Sequence, residues 1–394
     1  MITIHSIKSQ VTLFLLIAFV INTIVSAYPP DNAAVLYYKA FMLLHESENV
    51  PAEVMADFMD GKVKSNEQIR EYLKYNQPAI EILDEASKIE KCQWALDHSK
   101  GFDLPMPELS KARKAAFLLV RDAQKLTEDG NIKEAFNRCL TAHRMANHIS
   151  SDDLLISNLV GIAIHAKSDK TIKNILSRTS NSSEILTWLK DETFAVSQKQ
   201  PSLKSVLKTE SEIAVREMRK EKLDDILGSE PDDEILKKLP ADSLEKIKQG
   251  DEAFFKANQT YYKNFNATVQ EILDTSYSEA YKQLEELTQK SIKDASTNPG
   301  AVFAVIFAPS LPKLLSMEVR HKTSVNALNC ALGIYAHKAG TGKLPHEIPA
   351  NSPKDLFSGR NFEYEKTKDG FVLRCRGRDL FKNEIHEYEF KVPK

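Results

Sequence analysis

The chain is poor in glycine and has almost no excess of either charge. Only 13 of its 394 residues are glycine, so it lacks the clustered turn signals that are typical of all-β chains. Long stretches rich in Lys, Glu, Leu and Ala favour helix instead. The net charge is −2, whereas a nucleic-acid-binding protein normally carries a basic excess. Composition therefore predicts a mainly α-helical chain of about two or three domains that does not bind nucleic acid.

The sequence motifs of several common enzyme classes are also missing. The chain has no G-x-S-x-G nucleophile turn, no Walker A loop, no dinucleotide-binding glycine fingerprint and no H-E-x-x-H metal motif. From the sequence we therefore assign no catalytic residue, no cofactor-binding residue and no metal ligand.

Residues 1–27 have the order of a secretory signal. Lys8 gives a basic start, residues 11–21 are a continuous apolar run, and small residues precede a cleavage site after Ala27. The apolar stretch at residues 11–27 is about 17 residues long, the lower limit for spanning a bilayer. The segment is predicted to be a cleaved signal peptide or a retained membrane anchor. Either places the rest of the chain outside the cytoplasm, in the periplasm or beyond, or attached to the membrane.

Export affects how the four cysteines are interpreted. An even number in an oxidising compartment allows two disulfides with three alternative pairings, and four buried free thiols are the other possibility. No two of them form a C-x-x-C pair, so their spacing fits no metal motif. The four are Cys92, Cys139, Cys330 and Cys375.

Apolar periodicity divides the chain into a helical domain at residues 28–300 and a C-terminal module at 301–394. The clearest pair of helices lies within residues 109–149, where apolar residues recur at helical spacing on both sides of a break at Gly130. Two striped helices with a short connection are expected to pack as an antiparallel hairpin. Residues 202–250 are densely charged, which predicts a solvated and mobile or protruding segment.

After residue 344 the apolar period changes from helical to alternating. The stretches FEYE (362–365), FVLRCR (371–376) and EYEFKV (387–392) alternate, and the first two flank a K-D-G turn. These features predict a small antiparallel sheet whose apolar face covers the preceding helix. The expected fold class is mainly α, built of antiparallel helical hairpins, with a small C-terminal α+β module.

The helical pair resembles one hairpin of the tetratricopeptide repeat over residues 110–149. Gly130, Asn131, Glu134 and Ala135 stand where the second helix of that repeat has equivalent residues. The resemblance covers one hairpin of about 34 residues, whereas a solenoid needs at least three stacked units.

The C-terminal module resembles the end of the major pseudopilins of type II secretion. In that family a helix leads to a loop and a small sheet that binds calcium, which makes Asp355, Asp369 and Asp379 candidate calcium ligands, with loop capping as the alternative. Leu356 replaces the usual proline, and the pilin N-terminus is absent, so the chain is not itself a pseudopilin. The matching residues are Tyr335, Pro345, Asp355, Gly359, Tyr364, Gly370, Gly377 and Asp379.

The overall layout resembles a set of uncharacterised exported bacterial helical proteins. Three segments, at residues 32–41, 155–164 and 344–379, correspond to their N-terminal helix, central apolar helix and C-terminal module. This resemblance implies a fold and no activity.

Several ionisable residues were weighed as sites. His143 and His148 are five residues apart, which places them on different helix faces, and His165 lies in an apolar helix. All three are therefore predicted to be structural or solvated rather than metal-binding or catalytic. Glu210 and Glu212 are predicted to lie on a solvated face, although paired carboxylates can perform acid–base chemistry.

Two further groups have a functional and a structural interpretation. Arg374 and Arg376 share the outward face of a strand, with Arg378 beyond it, which favours a solvated strand over a site for an anionic partner. The aromatic residues of the first helix are predicted to be core rather than a ligand site. They are Tyr37, Tyr38 and Phe41.

These observations lead to three functional hypotheses. The first is a non-enzymatic interaction or scaffold protein of the cell envelope that binds other proteins. The second is an envelope hydrolase whose site combines distant residues such as His165 and Glu210. The third is an accessory factor of a secretion or pilus system.

Overall fold

The computed structural model of the protein describes residues 31–47, 50–222, 243–307 and 310–393. The predicted signal or anchor at residues 1–27 and the middle of the charged segment, 223–242, lie outside the described residues. Within them the chain forms fourteen α-helices and three strands, so the predicted mainly α fold class with a small C-terminal sheet is confirmed.

The first eight helices, α1–α8, are Ala33–Met42, Ala52–Met59, Glu67–Tyr75, Gln77–Ser87, Pro107–Glu128, Ile132–Ile149, Leu155–Arg178 and Ser183–Ser197. The next six, α9–α14, are Leu203–Glu217, Ser243–Gln249, Glu252–Ile272, Tyr277–Thr297, Val302–Phe307 and Leu311–Thr341. The strands β1–β3 are Glu363–Thr367, Gly370–Arg374 and Glu387–Lys391.

Helices α5 and α6 form the predicted antiparallel hairpin. Gly130 adopts a left-handed conformation (φ +79°) between them, which a residue with a Cβ rarely adopts. The alanine-rich stripe of α5 is buried, and α6 packs on α5 on one side and on α7 on the other. Helix α6 contributes side chains to both hydrophobic clusters of the described chain, for example Phe136 to one and Met145 to the other.

Where the charged segment forms α9, it packs on the helical body and does not protrude as its composition predicts, and only one side of the helix is solvated. This helix buries one side against α11, and even the carboxylate-bearing Glu217 is only 1% exposed. The error arose because the apolar residues of α9 keep helical spacing among more numerous charged residues. The buried apolar residues of α9 are Leu203, Val206, Leu207, Ile213 and Ala214.

Helix α14 is the longest in the described chain and joins the helical body to the sheet. It packs on α8 and α12, and Tyr335 near its end contacts Phe371 and Phe390 of the sheet. The Tyr335 hydroxyl also donates a hydrogen bond to the Lys391 carbonyl (2.6 Å). One hydrophobic cluster therefore includes side chains from both predicted segments, 28–300 and 301–394.

The three strands form an antiparallel sheet in the order β1-β2-β3, as predicted. Phe371, Leu373 and Cys375 are buried on its helix-facing side, and the β1–β2 turn is Lys368–Asp369. The apolar face of the sheet therefore covers α14.

Among the described residues, one stretch has the length and composition to cross a membrane. It is Pro299–Thr341, and 73% of its most apolar window is buried inside the protein. A core helix of a globular protein shows the same combination, and α14 lies in the core in this way.

Candidate functional site

Three histidines from three helices meet inside the helical body. His143 of α6 and His165 of α7 approach through their Nδ1 atoms, which are 2.7 Å apart, and the ring of His321 from α14 packs 5.3 Å from that of His165. Asp169, one turn after His165, has Oδ1 3.2 Å from Nε2 of His143. All four side chains are buried. We call these four residues the histidine cluster.

Hydrogen bonds at one end of the cluster determine which ring nitrogen atoms carry a proton. The Asn147 amide donates to the Val196 carbonyl (2.8 Å), so its oxygen is left to accept from Nε2 of His165 (3.0 Å). With Nε2 protonated, a neutral His165 accepts at Nδ1, and the Nδ1–H of His143 is the donor.

The same reasoning places a proton at the other end of the cluster. His143 donates its Nδ1–H to His165, so in a neutral ring Nε2 has only a lone pair. This lone pair would face the Asp169 carboxylate, which repels it unless a further proton lies between the two groups. The 3.2 Å contact is not aligned as a hydrogen bond, and Oδ2 of Asp169 is buried without a partner. The geometry therefore requires a proton between Nε2 of His143 and the Asp169 carboxylate.

Burial keeps the other two histidines of the cluster neutral. It lowers the pKa of His165 well below the ordinary value of 6.5, and the neighbouring His143 and His321 lower it further. Burial also lowers the pKa of His321 to about 4. The cavity beside His165 and His321 has a volume of only about 10 Å³, room for roughly one water molecule. A substrate therefore has no space at the histidine cluster.

The structure confirms that His148 and His143 lie on different faces of α6. Its Nδ1 lies 2.9 Å from the Tyr37 hydroxyl, on the side of α6 that faces α1. Tyr37 and Phe41 are buried and stack with Trp94, as expected for core residues, whereas Tyr38 is 38% exposed and meets Trp94 edge-on.

Glu210 does not join His165. Its Oε1 accepts a hydrogen bond from the backbone N–H of Leu155 (2.6 Å) at the start of α7, ten residues before His165 and about 15 Å away along the helix. The prediction of a solvated face holds for the exposed Glu212 and is wrong for the half-buried Glu210. Glu210 is held there because the first N–H groups of a helix need partners outside it.

The four cysteines form no disulfide, so the structure has the free thiols that were one of the two sequence-based alternatives. Burial raises the pKa of Cys92 and of Cys139 to about 12 and that of Cys330 to about 11. Thiols with raised pKa values are poor nucleophiles and poor metal ligands at neutral pH.

The C-terminal module contains an internal repeat of a D-L-F loop. The first loop spans residues 355–360 and the second spans 379–384, and each is closed by a β-bridge between its first and last residue. Their fifth residues, Gly359 and Asn383, both have positive φ, +69° and +56°. A strand begins eight residues after the first residue of each loop, β1 in one case and β3 in the other. The two loops therefore lead into the two strands that flank β2.

The two loop aspartates accept hydrogen bonds and do not form a calcium site. Asp355 accepts from backbone N–H groups of Phe357, Arg376 and Gly377 and from the Ser358 hydroxyl, at 2.6–2.9 Å. A cation prefers oxygen ligands, so a carboxylate surrounded by donors is unsuited to calcium.

Asp379 and Asp369 do not complete a calcium site either. Asp379 accepts from Arg320 (2.8 Å), and its Oδ2 lies 3.0 Å from Nε2 of His386. Burial alone would raise its pKa, but the bonds to His386 and Arg320 outweigh burial and lower it to about 2. Asp369 lies apart in the exposed β-turn. In the part of the chain that the structure describes, no group of three or more His, Cys, Asp or Glu side chains could hold a metal ion.

An open groove of about 630 Å³ lies between the two D-L-F loops and the helical body. Its floor includes the buried Leu315 and Val319 of α14, and one wall is the chain around the start of α12. The opposite wall carries the exposed arginines Arg360, Arg376 and Arg378. We call this feature the arginine groove. Pockets of 300–1,000 Å³ are typical of ligand sites.

The structure separates the three arginines that the sequence groups as R-C-R-G-R. Arg376 and Arg378 line the groove, whereas Arg374 lies outside the groove lining and pairs with Glu387 across the sheet (2.8 Å). Arg360, the third groove arginine, ends the first D-L-F loop and was not identified from the sequence. The repeated D-L-F triplet is the signal that could have linked the two loops.

The resemblances to pseudopilins, to tetratricopeptide hairpins and to exported bacterial helical proteins stay predictions. Comparisons of the chain with protein-family models, with curated proteins and with solved structures give no match.

Proposed function

We propose that the protein is an interaction protein of the cell envelope, exported or held at the membrane by residues 11–27. The observation that carries the proposal is the contrast in access between two sites. The histidine cluster adjoins a cavity of about 10 Å³, whereas the arginine groove is an open space of about 630 Å³. The ionisable groups of the histidine cluster are thus closed to a substrate, which acid–base catalysis would require them to contact. Those of the arginine groove are open to a binding partner.

The hydrolase hypothesis gains no support from the distances. His165 and Glu210 have separate partners, Asn147 and the N-terminus of α7. A catalytic pair must come within hydrogen-bond reach of one substrate position, directly or through one water. The role as an accessory of a secretion or pilus system depends on the resemblance of the C-terminal module and stays a prediction.

Cell fractionation with mass spectrometry of the mature N-terminus tests the proposed location. We expect the protein in the envelope or exported fraction, beginning at Tyr28 if the segment is a signal peptide, or with residues 11–27 intact in membranes. An intact chain in the soluble cytoplasm would contradict export.

Affinity capture from the native envelope fraction tests the interaction itself. We expect the full chain to retain a defined protein partner that a charge-matched helical protein does not retain. Turnover of an envelope substrate by the purified chain, abolished by H165Q, would contradict the proposal and restore the hydrolase hypothesis.

A further inference from the structure

We infer that the arginine groove binds an acidic segment of another protein, with carboxylates on the arginines and apolar side chains on the floor. The inference deepens the proposed function, because it names the class of partner and the surface that recognises it.

The charge of the groove is not neutralised by its own residues. Glu318 is the only carboxylate among the described residues of the lining, and its Oε1 accepts from the Leu203 backbone N–H (2.7 Å) and from Lys322 (2.8 Å). Its charge is thus used within the protein. The lining therefore contains three guanidinium groups and no free carboxylate of its own.

The three arginines differ in how far they are already paired. Arg376 has Nη1 3.0 Å from Glu363, and Arg378 donates to the carbonyl of the neutral Asn383 (2.8 Å). Among the described residues, Arg360 has no partner for its guanidinium. Arg360 and Arg378 are thus two uncompensated cations, one at the end of the first D-L-F loop and one directly before the second. Guanidinium groups bind carboxylates through two parallel hydrogen bonds, which favours a carboxylate-bearing ligand.

The two segments that carry these arginines are tied together. The Asp355 carboxylate of the first loop accepts from the backbone N–H groups of Arg376 and Gly377, which directly precede Arg378. A Cβ on Gly377 would lie only 2.4 Å from the Phe357 backbone, so the two segments are in close contact. A pre-formed arrangement of donors reduces the entropy that binding costs.

The shape of the groove favours a protein segment over other anionic partners. Leu315 and Val319 are buried at its floor, with half-buried Leu356 and Leu380 beside them, so apolar contacts require a ligand that enters a concave space. A membrane surface is flat and cannot reach this floor. An extended chain that alternates acidic and apolar side chains can contact both the arginines and the floor.

Fluorescence anisotropy with a labelled octapeptide of alternating Glu and Leu tests the inference on the purified chain. We expect saturable binding that weakens with salt, and much weaker binding of the matched peptides with Gln or Lys in place of Glu. In the double variant R360Q/R378Q affinity should fall about tenfold or more. R374Q is the matched control, because it removes a cation from the same basic run outside the groove, and its affinity should stay within about twofold.

Several results would overturn the inference. They are no binding up to about 1 mM peptide, equal binding of the Gln peptide, or an equal loss in R374Q. Arginine-dependent binding to phosphatidylglycerol vesicles in place of peptide would assign the groove to a membrane. Arginine-dependent self-association in sedimentation would assign it to a second copy of the chain.

Envelope capture with R360Q/R378Q separates this inference from the proposed function. We expect the double variant to lose the partner that the native chain retains. If the native chain and the double variant capture the same partner equally, the groove inference fails while the interaction function stands. If neither the native chain nor R374Q captures a partner although the octapeptide binds to the groove, the proposed function fails instead.

Discussion

The histidine cluster and the arginine groove both gather ionisable side chains, but they differ in access to water. In the cluster, His143, His165 and His321 are buried, and burial lowers the pKa of His165 and His321. In the groove, Arg360 and Arg378 are exposed and lack a carboxylate partner within the described chain. Ionisable side chains therefore contribute to stability in the histidine cluster and are free to bind a partner in the arginine groove.

Acid pH should have the largest effect, and it should act on the histidine cluster. The pKa values of His165 and His321 are lowered in the folded protein, so the unfolded chain binds more protons below about pH 6.5. Stability present above this pH is therefore lost as the pH falls toward 4, by up to about 1.4 kcal/mol per pH unit for each histidine.

Urea unfolding at a series of pH values measures this loss, and H321Q provides the comparison. Gln cannot be protonated, so the free energy of unfolding should depend less steeply on pH in H321Q than in the native chain. Equal slopes between pH 6.5 and 4 would show that His321 is not held neutral in the folded state.

The loop that supports the groove should be the next most sensitive element. D379A removes the acceptor of Arg320 and His386 and leaves these groups without their buried partner. The expected cost is about 3–5 kcal/mol in the free energy of unfolding. Asn retains one acceptor oxygen, so D379N should lower the free energy of unfolding less than D379A does. Urea unfolding followed by far-UV circular dichroism measures both. Equal stability of D379A and the native chain would contradict the role given to this carboxylate.

Much of the fold was predictable because it is encoded locally. The α5–α6 hairpin follows from apolar spacing around Gly130, and the β1–β2 hairpin follows from alternation around the K-D-G turn. The burial of α9 was missed because charged residues outnumber the apolar ones that keep helical spacing. A hydrophobic stripe depends on position and not on composition.

The two sites were less predictable than the fold because they depend on contacts between distant segments. His143 and His165 were predicted to be structural or solvated, and their contact with each other and with His321 joins three helices. The groove combines the end of one loop, the start of another, and two helices. Periodicity along the chain carries no information about which faces of different helices meet.

The proton between His143 and Asp169 gives a prediction of intermediate size. In D169N the Asn amide can donate to Nε2 of His143, so the chain of hydrogen bonds is complete with both histidines neutral. In D169A no group replaces the carboxylate, and the free energy of unfolding should fall by about 1–3 kcal/mol.

Imidazole ¹⁵N chemical shifts distinguish these states directly. The His143 ring signals should differ between the native chain and D169N, because the Asn amide replaces the proton between the two groups. Identical His143 signals in the two proteins would contradict a proton between His143 and Asp169.

The smallest effect on stability should come from the groove. R360Q, R378Q and the control R374Q remove exposed cations, so each should change the free energy of unfolding by no more than about 0.5 kcal/mol. Urea unfolding checks this expectation beside the binding assay. If R360Q lowered the free energy of unfolding by more than about 2 kcal/mol, this arginine would stabilise the fold. The groove would then no longer differ from the histidine cluster in this respect.

The most direct test of the closed cluster is the reactivity of individual histidines with diethylpyrocarbonate, followed by mass spectrometry of the folded chain. Exposed His98, His337 and His346 serve as internal references. The account predicts that these three are modified rapidly, while His143, His165 and His321 remain unmodified until the protein is unfolded in urea. Modification of His165 or His321 in the folded chain at the rate of the exposed histidines would show that small molecules reach the cluster and would contradict the account.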